Sequence, residues 1–218
     1  MKISGNTILI TGATSGIGRA LAEAFYARGN RVIITGRRQH LLDDIMRTHP
    51  GITGFRLDIN NDVMVNAVTA GVKARFPDLN VVIANAGISR AEHCADDNWN
   101  ADVAQEIVST NILGPLRTAA AFIPLIKHQP DATFMATSSA LAFVPKADFP
   151  CYCASKAFLH SWLISLRHQL RHIPVEVLEL SPPYVQTALT GNAQETDSRA
   201  MPLVEYITRV MTLIETRH

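Results

Sequence analysis

The sequence lacks the features that mark secreted, membrane-spanning or nucleic-acid-binding proteins. It has only three cysteines, Cys94, Cys151 and Cys153, and an odd number cannot all pair within the chain. No run of apolar residues approaches the ~18 that a membrane helix needs, and the N-terminus does not have the pattern of a signal peptide. The 20 basic residues nearly balance the 19 acidic ones, so no net charge attracts nucleic acid or an anionic membrane. We therefore expect a cytoplasmic protein that binds neither nucleic acid nor membranes.

The residues that are present favour a single domain over the whole chain, 1–218. Of the 218 residues 47% are hydrophobic, which is enough for one sizeable core. Short, nearly continuously apolar runs alternate with amphipathic stretches, as in a parallel sheet covered on both faces. This alternation predicts an α/β fold with a doubly wound parallel sheet and helices on both faces. Strands are predicted at 7–11, 31–35, 53–57, 80–84, 132–137 and 175–180, and helices at 17–28, 40–48, 63–76, a long stretch ending near His128, 152–172 and 202–218.

A glycine-rich turn, TGATSGIG, joins the first predicted strand to the first predicted helix. Its glycines are Gly12, Gly16 and Gly18. Glycine allows the backbone to turn tightly and to approach a pyrophosphate, which the amides at the start of the helix then face. The spacing differs from the G-x-G-x-x-G fingerprint of dinucleotide-binding proteins. Taken alone, the turn is therefore also compatible with an ordinary loop.

Three further features follow the turn in a fixed order: an Asn-Ala-Gly triplet at 85–87, Ser139, and Tyr152 placed four residues before Lys156. Together with the turn, they resemble the short-chain dehydrogenase/reductase family over about residues 7–187. The segments SPP (181–183) and LRHQLR (166–171) resemble a branch of that family associated with lipoteichoic-acid alanylation operons. The resemblance implies a Rossmann fold and an enzyme that transfers hydride.

The resemblance implies catalytic roles for Asn111, Ser139, Tyr152 and Lys156. Tyr152 would exchange a proton with the substrate oxygen, and Ser139 would hold that oxygen in place. Lys156 would bind the nicotinamide ribose and lower the pKa of Tyr152, while Asn111 would anchor a water. Simpler interpretations stay open: a surface tyrosine–lysine pair on a helix, Ser138 as the relevant serine, and a polar Asn111 at a helix kink.

The cofactor preference is predicted from the end of the second strand. NAD-preferring relatives carry an acidic residue there, whereas this chain has Gly36 followed by Arg37 and Arg38. Guanidinium groups match a 2′-phosphate in charge and geometry, so we expect NADP(H) rather than NAD. A solvated arginine pair on a turn is the alternative. The resemblance implies cofactor-binding roles for Gly12, Thr14, Ser15, Gly16, Ile17, Gly18, Arg37, Arg38, Asp58, Asn85, Ala86, Gly87, Tyr152, Lys156, Pro182, Val185 and Thr187.

We expect no metal site and no chemistry at the cysteines. His168 and His172 have the i, i+4 spacing of a metal pair, but Gln169 replaces the glutamate of a zinc-protease motif. A solvated basic face at a helix C-terminus explains the two histidines better, because cations there complement the helix dipole. Cys151 and Cys153 can simply pack beside Tyr152 as small uncharged groups.

The chain also departs from the family pattern. Pro183 stands where the family has a glycine, and the family's last strand has no counterpart, so we expect a shortened C-terminus. The polar, aperiodic segment 188–201 suits a lid over the substrate. Four residues are expected to make the substrate pocket largely apolar: Phe143, Val144, Phe149 and Tyr184.

The predicted function is that of an NADP(H)-dependent oxidoreductase that interconverts a small, largely apolar carbonyl compound and its alcohol. The alternative is a sensor or scaffold that binds the nucleotide without turnover. We also expect a homodimer, because in the family the helix ending near His128 and the 152–172 helix form an isologous interface. Apolar residues on these two helices include Phe122, Phe158, Trp162 and Leu166.

Overall fold

The computed structural model describes residues 1–216 and contains one six-stranded sheet in which every pairing is parallel. The strands are β1 (Thr7–Ile10), β2 (Arg31–Gly36), β3 (Thr53–Arg56), β4 (Val81–Ala84), β5 (Ala132–Thr137) and β6 (Val175–Leu180). Their order in the sheet is β3-β2-β1-β4-β5-β6. The order reverses between β1 and β4, and in such sheets ligands bind at the carboxyl ends of the two strands that flank the reversal.

Helices cover both faces of this sheet and create two apolar layers. Successive strand residues point to opposite faces, so Ile8 and Ile10 belong to one layer and Leu9 belongs to the other. The first layer includes α1, α2 and α7, and the second includes α3, α5 and α6. The predicted doubly wound α/β fold is therefore confirmed. The helices are α1 (Gly16–Tyr26), α2 (Gln39–Thr48), α3 (Asp62–Arg75), α4 (Asp102–Ile107), α5 (Gly114–Ile126), α6 (Pro150–Gln169) and α7 (Leu203–Thr216).

The predicted helix boundaries shift where proline decides them. The helix predicted at 152–172 begins at Pro150, which occupies the first turn, where its missing N–H is tolerated. It ends at Gln169, and Pro174 disfavours helical backbone at Ile173, just beyond the predicted end. The last two positions of the helix predicted at 202–218 lie outside the described residues.

The long helix predicted to end near His128 is interrupted. Residues 108–113 form a π-helical segment between α4 and α5. Pro115 follows in the first turn of α5 and has no N–H to donate to the carbonyl four residues earlier, that of Asn111. The regular hydrogen-bond ladder is therefore broken at Asn111, and π-helical turns are common at such positions. Within residues 1–216, no helix is both long enough and apolar enough to cross a membrane.

Candidate active site

A cleft of about 450 Å³ opens at the carboxyl ends of the strands around the reversal point. Every residue predicted to bind the cofactor lines this cleft except Val185. The Val185 side chain is buried in the first apolar layer, and its carbonyl accepts a 2.7 Å hydrogen bond from Gln194. The topology thus brings together residues that lie up to about 175 positions apart in the sequence, from the glycine turn to Thr187.

The glycine turn touches the backbone that follows β4. A Cβ atom at Gly12 would lie 2.7 Å from the Cα of Ala86, and one at Gly18 would lie 2.4 Å from Nδ2 of Asn85. Real side chains do not approach so closely, so both positions require glycine. Gly12 also has a φ of 66°, in the region that glycine adopts most readily.

Asn85 connects the ends of three strands. Its amide nitrogen Nδ2 donates to the carbonyls of Thr11 (3.2 Å) and Gly12 (3.3 Å), and its Oδ1 accepts from the Thr137 hydroxyl (3.2 Å). The Thr11 hydroxyl accepts from the backbone N–H groups of Asn85 and Ala86. Asn85 therefore fixes the shape of the cleft, and the sequence analysis missed the two threonines that support it. In the sequence, the only feature that marks these threonines is their position as polar residues at the end of an apolar strand.

The two arginines lie beside the glycine turn. Arg38 donates from Nη2 to the hydroxyls of Thr14 (3.1 Å) and Ser15 (3.0 Å), while Arg37 is exposed at the rim of the cleft. A Cβ atom at Gly36 would lie only 2.5 Å from Cγ2 of Thr14. An acidic side chain at Gly36 therefore does not fit unless Thr14 moves.

Tyr152 and Lys156 lie on one face of α6 and are 6% and 4% exposed. The Lys156 ammonium donates a 2.8 Å hydrogen bond to the carbonyl of Thr137 and lies 5.7 Å from the centre of the Tyr152 ring. The Ser139 hydroxyl interacts with the Tyr152 phenol and also accepts from the N–H of Leu141. The chain thus holds a phenol and an ammonium in the cleft, with the Ser139 hydroxyl in contact with the phenol.

The competing serine, Ser138, lines the cleft, which Ser139 does not, but its hydroxyl is already bonded. Its hydroxyl donates to the carbonyl of Leu180 (3.3 Å), and its backbone N–H donates to the same oxygen. Ser138 therefore ties the end of β5 to the end of β6. This arrangement favours Ser139 as the serine that works with Tyr152.

Burial shifts the pKa values of Tyr152 and Lys156. Burial raises the pKa of the Tyr152 phenol, and the Ser139 hydroxyl lowers it in part. Burial also lowers the pKa of Lys156 from its ordinary value of 10.5 to about 8. The ammonium bonds to the Thr137 carbonyl and not to the phenol, and the effect of Lys156 on Tyr152 stays a prediction.

Asn111 is completely buried in the π-helical segment. Its Oδ1 accepts from the N–H of Ile88 (2.9 Å), and its Nδ2 donates to the carbonyl of Ile88 (2.8 Å) and to the hydroxyl of Ser155 (3.1 Å). The side chain of Asn111 thus clamps the loop after β4 onto α6. Its side chain does not line the cleft.

The cysteines beside Tyr152 are poor candidates for chemistry. Burial and the neighbouring Glu92 raise the pKa of the Cys151 thiol to about 11, which leaves little thiolate near neutral pH. Cys153 is buried and accepts from the N–H of Lys146. Among residues 1–216, no group of three or more metal-binding side chains is placed to hold an ion.

The segment predicted as a lid, 188–201, contains two 3₁₀ turns, Ala188–Thr190 and Asn192–Thr196. Gln194 holds them through hydrogen bonds to the Thr190 hydroxyl (2.6 Å) and to the carbonyl of Val185. Ala188 and Leu189 line the cleft. The four residues expected to make the pocket apolar, Phe143, Val144, Phe149 and Tyr184, do not line it.

The fold and the cleft define a protein with a Rossmann-type nucleotide-binding sheet. A family model described as short chain dehydrogenase matches residues 6–198. The chain belongs to that family, as the sequence predicted. It is 37% identical over 195 residues to the uncharacterized oxidoreductase DltE of Bacillus subtilis, and the match covers 89% of this chain and 77% of that protein. This relative agrees with the branch that the sequence resembles.

Solved structures have the same architecture. A short chain dehydrogenase from Burkholderia cenocepacia in complex with NADP superimposes with a TM-score of 0.86 at 25% identity, covering 100% of this chain and 87% of that one. A 3-ketoacyl-(acyl-carrier-protein) reductase from Brucella melitensis complexed with NADH has a TM-score of 0.88 at 22% identity, covering 99% and 93%. The first of these neighbours holds NADP and the second NADH, and both share the fold of this chain.

Proposed function

We propose that this oxidoreductase interconverts a small carbonyl compound and its alcohol, with NADP(H) as cofactor and Tyr152 as the acid/base. The observation that carries the proposal is the position of Tyr152 and Lys156 in the cleft that the glycine turn also lines, with the Ser139 hydroxyl beside the Tyr152 phenol. A protein that only binds nucleotide has no need for a buried phenol and hydroxyl there. The sequence also predicted that the substrate is largely apolar, and this stays a prediction.

The cleft suits the predicted cofactor. The start of α1 and the glycine turn would hold the pyrophosphate, Asp58 the adenine, and Lys156 the nicotinamide ribose. Arg37 and Arg38 favour a 2′-phosphate, and Thr14 leaves no space for an acidic side chain at Gly36.

The bound nicotinamide supplies hydride in one direction and accepts it in the other. In reduction, Tyr152 donates its proton to the substrate oxygen, and Ser139 hydrogen-bonds the same oxygen. The raised pKa of Tyr152 keeps the phenol protonated, which suits this direction. The carbonyl of Asn111, which Pro115 leaves without its regular helical donor, is the group we propose to anchor a water that returns the proton.

A panel of aldehydes and ketones, followed by the loss of NADPH absorbance, tests the proposal. We expect turnover in the wild-type protein and none above background in Tyr152→Phe. Tight NADPH binding without turnover of any member would favour the nucleotide sensor instead.

We further propose that the chain is a single domain, that it forms a homodimer, and that residues 188–201 act as its lid.

A further inference from the structure

A short loop after β4, residues 87–92, carries an arginine that the sequence analysis did not single out. At its start, both backbone groups of Ile88 are bonded to the side chain of Asn111, at 2.9 and 2.8 Å. A Cβ atom at Gly87 would lie 3.6 Å from Nζ of Lys156. The loop therefore begins at the catalytic end of the cleft.

The other end of the loop is attached to the start of α6. The N–H of Glu92 donates to the carbonyl of Asp148 (3.0 Å), and Oε1 of Glu92 accepts from the N–H of Cys151 (3.0 Å). Cys151 directly precedes Tyr152. Because both ends of the loop are anchored beside proposed catalytic residues, Arg90 in its middle is held near them as well.

Arg90 is an exposed guanidinium that lines the cleft. Its only hydrogen bond within the described chain runs from Nη1 to the carbonyl of Ser89 (2.9 Å). No carboxylate of residues 1–216 lies within 4.0 Å of it in an ion pair. A guanidinium has five N–H donors, so most of those of Arg90 are available to a ligand.

Arg90 is also separate from the arginines proposed to bind the 2′-phosphate. Arg37 and Arg38 follow β2, whereas Arg90 follows β4, and β1 lies between these strands. Neighbouring strands are ~4.8 Å apart, so the two strand ends are about 10 Å apart. Arg90 therefore lies at a different part of the cleft from Arg37 and Arg38.

We propose that Arg90 is a specificity-determining residue that binds a carboxylate on the substrate, so that the preferred substrates are short oxo acids. This inference rests on the proposed carbonyl–alcohol function and names its substrate class, in place of the largely apolar substrate predicted from the sequence. A guanidinium binds a carboxylate through two parallel hydrogen bonds. Such binding orients the substrate while its carbonyl oxygen faces Tyr152 and Ser139.

The test compares matched carbonyl pairs that differ in charge: acetoacetate with methyl acetoacetate, and pyruvate with methyl pyruvate. For the acid of at least one pair, we expect kcat/KM to be at least about tenfold higher than for its ester. Arg90→Gln should lower the value for that acid by about 10- to 100-fold and leave the ester within about threefold. Arg28→Gln is the matched control, because Arg28 is also exposed and bonded to a backbone carbonyl but does not line the cleft.

Three results would overturn the inference. Equal kcat/KM for acid and ester in both pairs would do so while leaving the proposed function intact. A loss of NADPH affinity in Arg90→Gln, measured by fluorescence titration, would assign the guanidinium to the cofactor. If no carbonyl is turned over, the proposed function fails. The carboxylate site is then tested separately, by calorimetry of acetoacetate and pyruvate binding to the NADP⁺ complex. Binding that Arg90→Gln abolishes supports the carboxylate site, and no binding overturns it.

Discussion

The ammonium of Lys156 donates a 2.8 Å hydrogen bond to the backbone carbonyl of Thr137, the last residue of β5. This bond links α6 to the sheet at the catalytic end of the cleft. Within residues 1–216, it is the only hydrogen bond of the Lys156 side chain, which is 4% exposed. The buried charge therefore has one uncharged partner, and its pKa falls to about 8.

This burial predicts a pH-dependent stability. The pKa of Lys156 is lower in the folded protein than its ordinary value of 10.5. Between these values the unfolded chain binds a proton that the folded protein does not, so the stability contributed by residue 156 rises with pH. The penalty for the buried ammonium is complete below about pH 8. We expect the free energy of unfolding of the wild type, minus that of Lys156→Met, to rise by about 1–3 kcal/mol as the pH rises through this window.

Urea unfolding at several pH values measures this difference. Lys73→Met, on the exposed side of α3, is the matched control, because solvent already surrounds its ammonium. A difference that stays constant, or that falls with pH, would contradict the assignment of a buried charge.

The phenol of Tyr152, and not the neighbouring thiols, should carry the chemistry. Tyr152→Phe removes one hydroxyl and little volume, so folding and NADPH affinity should survive while kcat falls by ~10²–10⁴. Cys151→Ala combined with Cys153→Ala should keep kcat within a few-fold, because neither thiol transfers a proton in the proposed mechanism. Steady-state kinetics of the variants provides the measurement. An inactive cysteine variant beside an active Tyr152→Phe would assign the reaction to the thiols.

NADPH should bind more tightly than NADH. Arg37→Gln should reduce the affinity for NADPH by about tenfold or more, the scale of one charge-assisted hydrogen bond, and leave that for NADH almost unchanged. Arg38 is a less selective position for this test, because it also holds Thr14 and Ser15 of the glycine turn. Fluorescence titration with both cofactors compares the affinities. Equal affinities in the wild type would refute the predicted preference.

Two glycine-to-alanine substitutions should have opposite effects. Gly18→Ala places a Cβ atom 2.4 Å from Nδ2 of Asn85 and 2.6 Å from the carbonyl of Gly12, so it should cost about 1–3 kcal/mol of stability. Gly71→Ala, inside α3, meets only Phe55 at 3.4 Å and should be neutral or stabilising by up to ~1 kcal/mol. Chemical denaturation of both variants gives the comparison. Equal stabilities would show that the turn tolerates a side chain.

The proposed dimer interface has a specific candidate. Phe158 is 41% exposed, and Trp162, one turn later on α6, is half-buried. Phe122 and Leu166, the other two residues considered, are buried in the core and do not contribute. Light scattering should give a dimer for the wild type and a monomer for Phe158→Glu. Val63→Glu, at an exposed apolar residue of α3, should remain dimeric, and a monomeric wild type would refute the proposal.

The sequence alone determined the sheet and much of the cleft. The strands are apolar on both faces because both faces are covered, so the alternation of strands and helices was sufficient to predict a doubly wound sheet. The glycine turn and the Tyr152–Lys156 spacing are local patterns, since each depends on a few neighbouring residues. Such patterns are readable without knowing what lies across the fold.

The tertiary structure decided what depends on contacts between distant segments. It placed Thr14 against Gly36, turned Lys156 toward Thr137, and positioned Arg90 between two anchors that are contributed by other elements. The pKa values of Tyr152 and Lys156 likewise follow from burial, which is a property of the packed protein and not of the residues beside them in the chain.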